Sequence, residues 1–266
     1  MTSVALLVVR GLAVRFGGLT AIEDLSFEVK AGEVLALIGP NGAGKTSAFN
    51  AITGYLAPSA GEILFDGARL NGLKPHRIAE FGLVRTFQKT SVFGGRTALE
   101  NILIGLHLRS TQDLMSIVLG LPSVARAEKK LVAEAREILA FVGLDGRADE
   151  LGNALPYGEQ RLLEIAIALA AKPKLLLLDE PVSGMNPVET GRFMAKLTEI
   201  RALGITVLLV EHDMKMVMGV SDRIVCLSQG RVIASGTPAE IQRDPQVIRA
   251  YLGEKYARAN GVAASA

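Results

Sequence analysis

Residues 39–47 of the chain are Gly39-Pro40-Asn41-Gly42-Ala43-Gly44-Lys45-Thr46-Ser47, and the first eight match the pattern G-x-x-x-x-G-K-[ST] without a gap. The run 33–38 before this stretch, which is apolar after Glu33, predicts a buried strand, and residues 46–52 after it predict a helix that ends at Gly54. A strand, a glycine-rich loop and a helix in this order form a cradle whose backbone N–H groups and helix dipole favour a bound phosphate. We therefore predict a nucleotide site in which Lys45 contacts the β- and γ-phosphates and Thr46 places its hydroxyl on Mg²⁺.

The composition excludes several classes of protein. The chain has 266 residues and a net charge of only +2, and its Lys and Arg residues are scattered, so no basic stripe indicates a nucleic-acid partner. The single Cys226 excludes an internal disulfide framework and is typical of a reducing compartment. No apolar run has the roughly 18 residues that a membrane span requires, and the first ten residues lack the basic start of a signal peptide. If the protein acts at a membrane, we expect another chain to supply the spanning part.

A second motif combines a buried strand with two carboxylates. The run Leu175-Leu176-Leu177-Leu178 predicts a strand covered on both faces, and Asp179 and Glu180 follow at its end. In an open parallel sheet this end lies beside the phosphate loop. We predict that Asp179 holds Mg²⁺, commonly through water, and that Glu180 polarises the attacking water.

Three further residues are ambiguous when each is considered alone. Phe16 lies at a predicted turn between two strands, where it either stacks on an adenine base or only packs a hairpin. His212 follows the predicted strand 205–210, and a lone histidine is more often structural than functional. Gln88 ends the predicted strand 83–88 and by itself indicates no function.

The order of predicted elements indicates an α/β protein with an inserted helical part. Strands and helices alternate up to about residue 90 and again after about residue 160. Between them, helices are predicted at 97–109, 111–122 and 124–142, the first with Thr97 and Glu100 as a capping box. An all-helical insert of this length inside a strand–helix alternation indicates a separate lobe.

The segment Leu155-Pro156-Tyr157-Gly158-Glu159-Gln160 resembles the L-S-G-G-Q signature of ATP-binding cassette (ABC) proteins. It lies directly before the helix that leads to the Asp179 strand, as in that family, and the resemblance then covers nearly the whole chain. The resemblance implies that Phe16 stacks on adenine, that Gln88 lies at the junction with the helical lobe and serves catalysis and the metal, and that His212 holds the γ-phosphate.

The same resemblance implies a sandwich of two subunits around two ATP molecules, in which the phosphate loop of one faces the signature of the other. Tyr157 and Gly158 would then contact the nucleotide, as would the phosphate loop from Gly39 to Ser47. Residues 183–186 (Ser-Gly-Met-Asn) look like the loop that contacts the opposite subunit. The implied cofactors are ATP and Mg²⁺.

A narrower resemblance concerns the transported substrate. The segments Val84-Arg85-Thr86-Phe87-Gln88, Glu211-His212-Asp213-Met214 and Arg249-Ala250-Tyr251-Leu252-Gly253, together with Tyr157 and the long helical insert, look like the ATP-binding subunits of branched-chain amino acid importers. The alternatives are the ATPase of a lipopolysaccharide exporter, which shares the ending but not so long an insert, and a soluble cassette ATPase that acts on DNA or ribosomes. The latter types carry long coiled coils, metal-binding modules or two cassettes, which this sequence lacks.

One residue departs from the family signature. The serine whose hydroxyl normally contacts the γ-phosphate is here Pro156, which removes both that hydroxyl and a backbone donor. A lost hydrogen bond to a charged phosphate costs roughly 1.5–3 kcal/mol. Since the N–H of Gly158 and the dipole of the following helix remain, we expect a weakened signature that still functions.

These observations predict a P-loop NTPase (RecA-like) core with an antiparallel β subdomain and an inserted α-helical subdomain. We expect one ABC ATPase domain at 1–253, with the nucleotide-binding core at 1–88 and 160–236, the helical subdomain at 89–159, terminal helices at 237–253 and a disordered tail at 254–266. The resemblance implies a second ABC ATPase subunit, in a homodimer or a related heterodimer, and transmembrane permease subunits as partners, and indirectly an extracytoplasmic solute-binding protein. It places the protein peripherally on the cytoplasmic face of the inner membrane.

Overall fold

A computed structural model describes residues 5–86, 92–107 and 122–251 of the chain. The chain divides into two compact units. The core unit comprises Met1–Arg85, Lys174–Glu180 and Leu197–Ala266, and the helical unit comprises Thr86–Pro173 and Pro181–Lys196. Gln88, residues 111–121 of the predicted helix 111–122 and the predicted disordered tail lie outside the described residues. The subdomain limits expected from the sequence remain predictions.

The described residues of the core unit form a ten-stranded sheet in the order β5-β4-β1-β2-β10-β9-β3-β8-β7-β6. The strands are β1 (Ala5–Phe16), β2 (Leu19–Lys30), β3 (Val34–Ile38), β4 (Ala60–Phe65), β5 (Ala68–Arg69), β6 (Leu83–Arg85), β7 (Leu175–Asp179), β8 (Thr206–Val210), β9 (Arg223–Ser228) and β10 (Arg231–Gly236).

Five neighbouring strands, β9, β3, β8, β7 and β6, run parallel to one another. All residues of β3, β7 and β8 are buried, which explains why their sequences are continuous apolar runs without alternation. Because β8 lies between β3 and β7, the carboxyl ends of these three strands meet at one edge of the sheet. The phosphate loop, the Asp179–Glu180 pair and His212 each follow one of these ends.

The opposite side of the sheet is antiparallel. Strand β1 pairs with both β2 and β4, and β4 pairs with β5. Burial alternates along β2, where Leu25, Phe27 and Val29 are buried and the residues between them are exposed, since one face of this ribbon packs on the core. The predicted antiparallel β subdomain is confirmed.

Helices occupy both units. They are α1 (Lys45–Ile52), α2 (Pro75–Glu80), α3 (Ala98–His107), α4 (Pro122–Val142), α5 (Tyr157–Ala170), α6 (Pro187–Ala202), α7 (Met214–Val220) and α8 (Pro238–Arg243). Residues 245–251 are also helical. In the capping box at α3, the backbone N–H of Thr97 donates to Glu100 Oε2 (2.8 Å) and the N–H of Glu100 donates to Thr97 Oγ1 (3.2 Å), as the sequence predicted.

The helical unit has its own apolar core, in which α3, α4 and α5 pack together. Its central side chains, Ile102, Leu139 and Leu163, are fully buried. The predicted all-helical insert therefore folds around a separate hydrophobic cluster. Within the part of the chain that the structure describes, no helix is both long and apolar enough to cross a membrane.

Candidate active site

The phosphate loop requires glycine at two positions. Gly39 and Gly44 have φ angles of 152° and 102°. A Cβ atom on Gly39 would lie 2.3 Å from the carbonyl oxygen of Leu227, and one on Gly44 would lie 2.7 Å from that of Ala21. Strands β9 and β2 therefore pack directly against the loop and leave no room for a side chain at Gly39 or Gly44. This packing fixes the loop at the start of α1, where its amides can face an anion.

Lys45, the first residue of α1, folds back over the loop. Its Nζ donates to the carbonyl oxygens of Gly39 (2.6 Å) and Pro40 (3.1 Å). Burial lowers the pKa of Lys45, while the nearby carboxylates of Glu180 and Asp179 act in the opposite direction. The lysine is thus a half-buried cation held by two neutral acceptors, and a phosphate anion would be a stronger partner for it.

Asp179 ends β7 in a buried ion pair. Its Oδ2 accepts a 2.7 Å hydrogen bond from Arg85 Nη2, and the two side chains are only 6% and 7% exposed. Arg85 also donates through Nη1 to Asn50 Oδ1 (2.7 Å) and to Thr53 Oγ1 (3.2 Å), both on or directly after α1. The carboxylate predicted to hold the metal is therefore tied, through one arginine, to the helix that follows the phosphate loop.

Glu180 has a backbone conformation that is rare for a residue with a side chain. Its φ is 48°, and its N–H donates to the carbonyl of Val210 at 2.8 Å, which anchors it to the end of β8. Its Oε1 lies 3.9 Å from Nδ1 of His212. Two residues predicted to act on the γ-phosphate and on the attacking water are therefore neighbours in space.

The fully buried carboxylate of Glu211 binds the backbone at His212. Glu211 Oε2 accepts hydrogen bonds from the backbone N–H groups of His212 (2.8 Å) and Asp213 (3.2 Å) and lies 3.6 Å from His212 Nδ1. Asp213 in turn caps α7 by accepting from Met216 N at 3.0 Å. With its backbone held on both sides, His212 exposes 62% of its side chain toward solvent.

The other predicted nucleotide contacts lie around the same loop. Thr46 is exposed and Ser47 is half-buried, both in the first turn of α1. Phe16 is 49% exposed at the end of β1 and pairs with Leu19, two residues before the Ala21 carbonyl that abuts Gly44. An aromatic ring at the edge of the loop and open to solvent is available for stacking on a base.

The donor set fits a hard divalent cation. Arg85 donates to Oδ2 of Asp179, so Oδ1 is the carboxylate oxygen that we assign to a cation, and Thr46, an exposed residue, carries a hydroxyl as a second oxygen donor. Magnesium prefers such oxygen ligands and completes its shell with phosphate and water oxygens. Gln88, the third predicted metal ligand, lies outside the described residues.

The signature residues lie in the helical unit, where Tyr157 connects two segments. Its hydroxyl donates to the carbonyl of Ser183 (2.9 Å) and accepts from Arg161 Nη2 (2.7 Å) and Nε (3.0 Å). Arg161 is itself buried and ion-paired with buried Glu164 at 2.9 Å. Tyr157 thereby joins the start of α5 to the loop at 183–186.

The start of α5 also borders a cavity of about 180 Å³. Its lining includes Pro156, Gly158, Met185 and Glu189. A Cβ atom on Gly158 would lie 2.8 Å from the Glu189 carboxyl group, so only glycine fits there without displacing that side chain. Pro156 is the exposed N-cap residue of α5, with ψ of 150°, and no side chain caps the helix.

The last described residue reaches the phosphate loop. Burial raises the pKa of the Tyr251 hydroxyl to about 12, and the nearby backbone of Gly39 acts in the opposite direction. The C-terminal helical segment therefore packs behind the same loop that β9 and β2 support.

Three functional contacts were missed by sequence reasoning: those of Arg85, Glu211 and Arg161. Arg85 and Glu211 lie in segments that the sequence analysis named without giving either residue a role, and Arg161 directly follows the signature segment. The sequence alone did not distinguish burial from exposure for these charged residues. The structure shows that Arg161 and Glu211 are buried, that the side chain of Arg85 is only 7% exposed, and that each of the three has a hydrogen-bond partner.

Comparisons with known proteins agree with this geometry. A family model described as ABC transporter matches residues 22–183. A second, described as branched-chain amino acid ATP-binding cassette transporter, matches residues 231–257.

Among curated proteins, the chain is 45% identical to the high-affinity branched-chain amino acid transport ATP-binding protein LivG of Salmonella typhimurium, over 94% of this chain and 98% of LivG. It is 34% identical to the lipopolysaccharide export system ATP-binding protein LptB of Haemophilus influenzae, over 95% of this chain and 99% of LptB. Among solved structures, MJ1267, an ATP-binding cassette of an ABC transporter in its ADP conformation, superposes with a TM-score of 0.83 at 30% identity. That match covers 95% of this chain and all of MJ1267.

Proposed function

Because this chain belongs to the ABC transporter family of ATP-binding proteins, we propose that it is the ATP-hydrolysing subunit of an importer for branched-chain or other hydrophobic amino acids. The observation that supports an ATPase is the meeting of Lys45, Asp179, Glu180 and His212 at one edge of the sheet. The assignment to an importer and the proposed substrate class rest on the sequence identity to LivG, which is higher than the identity to LptB.

The residues of the core unit suffice to outline the chemistry. Backbone N–H groups of the phosphate loop and the dipole of α1 bind the phosphates, and Lys45 exchanges its carbonyl partners for phosphate oxygens. Glu180 accepts a proton from the attacking water, and His212 donates to the γ-phosphate. A Mg²⁺ ion held by Thr46 and Asp179 would neutralise charge on the β- and γ-oxygens.

The second half of each site is proposed to come from another subunit. The chain has one phosphate loop and one signature, so we infer a dimer in which Tyr157 and Gly158 of one subunit complete the ATP site of its partner. A monomer would then be a poor ATPase. ATP binding would close the dimer, and hydrolysis would reopen it.

Transport itself requires chains that this sequence does not contain. We place the protein at the cytoplasmic face of the membrane, where the helical unit docks on transmembrane permease subunits and a solute-binding protein delivers the amino acid. Substrate choice would lie in those partner chains.

The proposed function is tested by inactivating the gene in its source organism and measuring uptake of labelled leucine, isoleucine and valine. We expect uptake to fall and to return with the wild-type gene but not with Glu180→Gln. Unchanged uptake accompanied by a defect in lipopolysaccharide export would replace the importer with the exporter function.

A further inference from the structure

Arg85, in the core unit, makes several specific contacts but has no role in the proposed chemistry. Its guanidinium donates to Asp179, Asn50 and Thr53, and its central carbon lies 5.5 Å from the ring centroid of Phe49. A planar fork that is only 7% exposed and held on several sides has very little rotational freedom.

Strand register explains why the arginine reaches the carboxylate. In the parallel pair of β6 and β7, Arg85 lies opposite Leu177, two residues before Asp179. Alternate residues of a strand share a face, so Leu177 and Asp179 both face α1, and Leu177 packs in the same cluster as Phe49. Arg85 lies on this face too, between the end of β7 and α1.

The acceptors on the α1 side are themselves fixed. Thr53 is buried, and its hydroxyl donates to the carbonyl of Phe49 at 2.6 Å, which orients its lone pair toward Arg85 Nη1. Asn50 offers its side-chain oxygen at 2.7 Å to the same nitrogen. The position of the guanidinium, and with it the orientation of the Asp179 carboxylate, is therefore set by the helix that begins at Lys45.

We propose that Arg85 is a positioning residue for the metal-binding carboxylate. It compensates the buried charge of Asp179 and holds Oδ2, so that Oδ1 points toward the cation bound with the nucleotide. The same contacts keep that oxygen in register with Thr46 in the first turn of α1. This inference rests on the proposed ATPase function and assigns to Arg85 a role in Mg²⁺ affinity.

The test is the Mg²⁺ dependence of nucleotide binding and turnover in Arg85→Gln and Arg85→Lys. Removing an outer-shell partner of a metal ligand typically weakens metal affinity 10- to 100-fold. We expect the Mg²⁺ concentration for half-maximal ATP turnover to rise by about that factor in Arg85→Gln, and by less in Arg85→Lys, which retains the charge but loses the fork. Binding of fluorescent mant-ATP in EDTA should change less than about twofold, because the loop and Lys45 are intact.

Thermal unfolding provides the second measurement. Arg85→Gln leaves a buried, unpaired carboxylate and should lower Tm by roughly 10 °C. Adding Asp179→Asn removes that charge and should recover most of the Tm without restoring the response to Mg²⁺. Arg77→Gln is the matched control, since Arg77 pairs with Glu80 on the exposed surface of α2 and should leave all three measurements unchanged.

Either of two results with Arg85→Gln would overturn the proposal. One is a folded Arg85→Gln protein whose half-maximal Mg²⁺ concentration equals that of the wild type. The other is an equal loss of mant-ATP binding in EDTA and in Mg²⁺, which would indicate a general structural defect. If Arg85→Gln does not fold, Arg85→Lys decides the matter, and an unchanged Mg²⁺ requirement then contradicts the role. A wild-type protein without Mg²⁺-dependent ATP turnover would instead contradict the proposed ATPase function.

Discussion

Glu180 combines a strained backbone with a side chain near His212. A φ of 48° at a non-glycine residue costs on the order of 1–3 kcal/mol, and it persists here because the N–H of Glu180 is bonded to Val210 and its strand is buried. The left-handed turn directs the carboxylate away from the strand path and to within 3.9 Å of the histidine. The strain is therefore located at the residue proposed as the general base.

Glu180→Gln should bind ATP normally and lose most of its hydrolysis, because an amide of the same shape cannot accept a proton. Loss of a general base typically lowers the rate by 10²- to 10⁴-fold. Steady-state ATPase measurements and calorimetry with Mg·ATP check both halves of this prediction. Glu80→Gln, an exposed carboxylate on α2, is the control and should behave as wild type. Hydrolysis within a few-fold of wild type in Glu180→Gln would remove this residue from the role of base.

At the scale of the secondary-structure element, α5 begins without a side-chain cap because Pro156 occupies the N-cap position. A serine there supplies a hydroxyl that can accept from an amide of the first turn, which typically stabilises a helix by about 1 kcal/mol. The same hydroxyl is the group that the family signature directs at the γ-phosphate of the opposing subunit. The two roles make different predictions for Pro156→Ser.

If Pro156 only weakens the signature, Pro156→Ser should tighten ATP-dependent dimerisation in the Glu180→Gln background and speed turnover in the otherwise native protein. The gain should be within roughly 1.5–3 kcal/mol, the range for one hydrogen bond to a charged group. Sedimentation with and without ATP measures it. A higher Tm with no change in dimerisation would show that the hydroxyl only caps α5, and that the signature serine is not needed in this chain.

Tyr157 links α5 to the loop at 183–186, so its hydroxyl has a measurable structural role. Tyr157→Phe removes the bond to Ser183 and one acceptor of buried Arg161, which should destabilise the protein by about 1–3 kcal/mol. Because the loop is proposed to contact the opposite subunit, we also expect weaker ATP-dependent dimerisation. Urea unfolding and sedimentation test the two effects, with Tyr55→Phe at an exposed tyrosine as control. Unchanged stability would mean that the link contributes nothing in solution.

At the scale of the whole molecule, the single cysteine is a probe of the core sheet. Cys226 lies in β9, is fully buried, and burial raises its thiol pKa to about 11. At pH 8 only roughly one thiol in a thousand is then the reactive thiolate. The native protein should react with iodoacetamide at least about 100-fold more slowly than the urea-unfolded chain.

The pH dependence of this reaction follows from the direction of the shift. A raised pKa keeps the thiol protonated at neutral pH, so the rate should rise about tenfold per pH unit from pH 8 to 10, where an ordinary thiol is already levelling off. Rapid labelling of the native protein at pH 8 would show instead that β9 opens readily.

The sequence by itself determined the fold class and predicted the groups that we propose for catalysis. Apolar runs such as Leu175–Leu178 are long enough and uniform enough to predict buried parallel strands, and the phosphate-loop pattern constrains backbone shape through its glycines. Because parallel strands end at one edge of a sheet, the Asp179–Glu180 pair was expected beside the phosphate loop, and the family resemblance implied that His212 joins them. The structure brings Lys45, Asp179, Glu180 and His212 to that edge. The nucleotide contacts and roles assigned to these residues stay predictions.

Only the tertiary structure decided the residues that support those groups. Arg85 is buried because β6 pairs with β7 in a register that places it beside Asp179, and no local pattern encodes the register of strands about ninety residues apart in the chain. Likewise, the Tyr157 hydroxyl finds Ser183 only after α5 and the loop have packed. Motifs specify chemistry through short, local spacing, whereas the partners of buried charges depend on which distant segments the packing brings into contact.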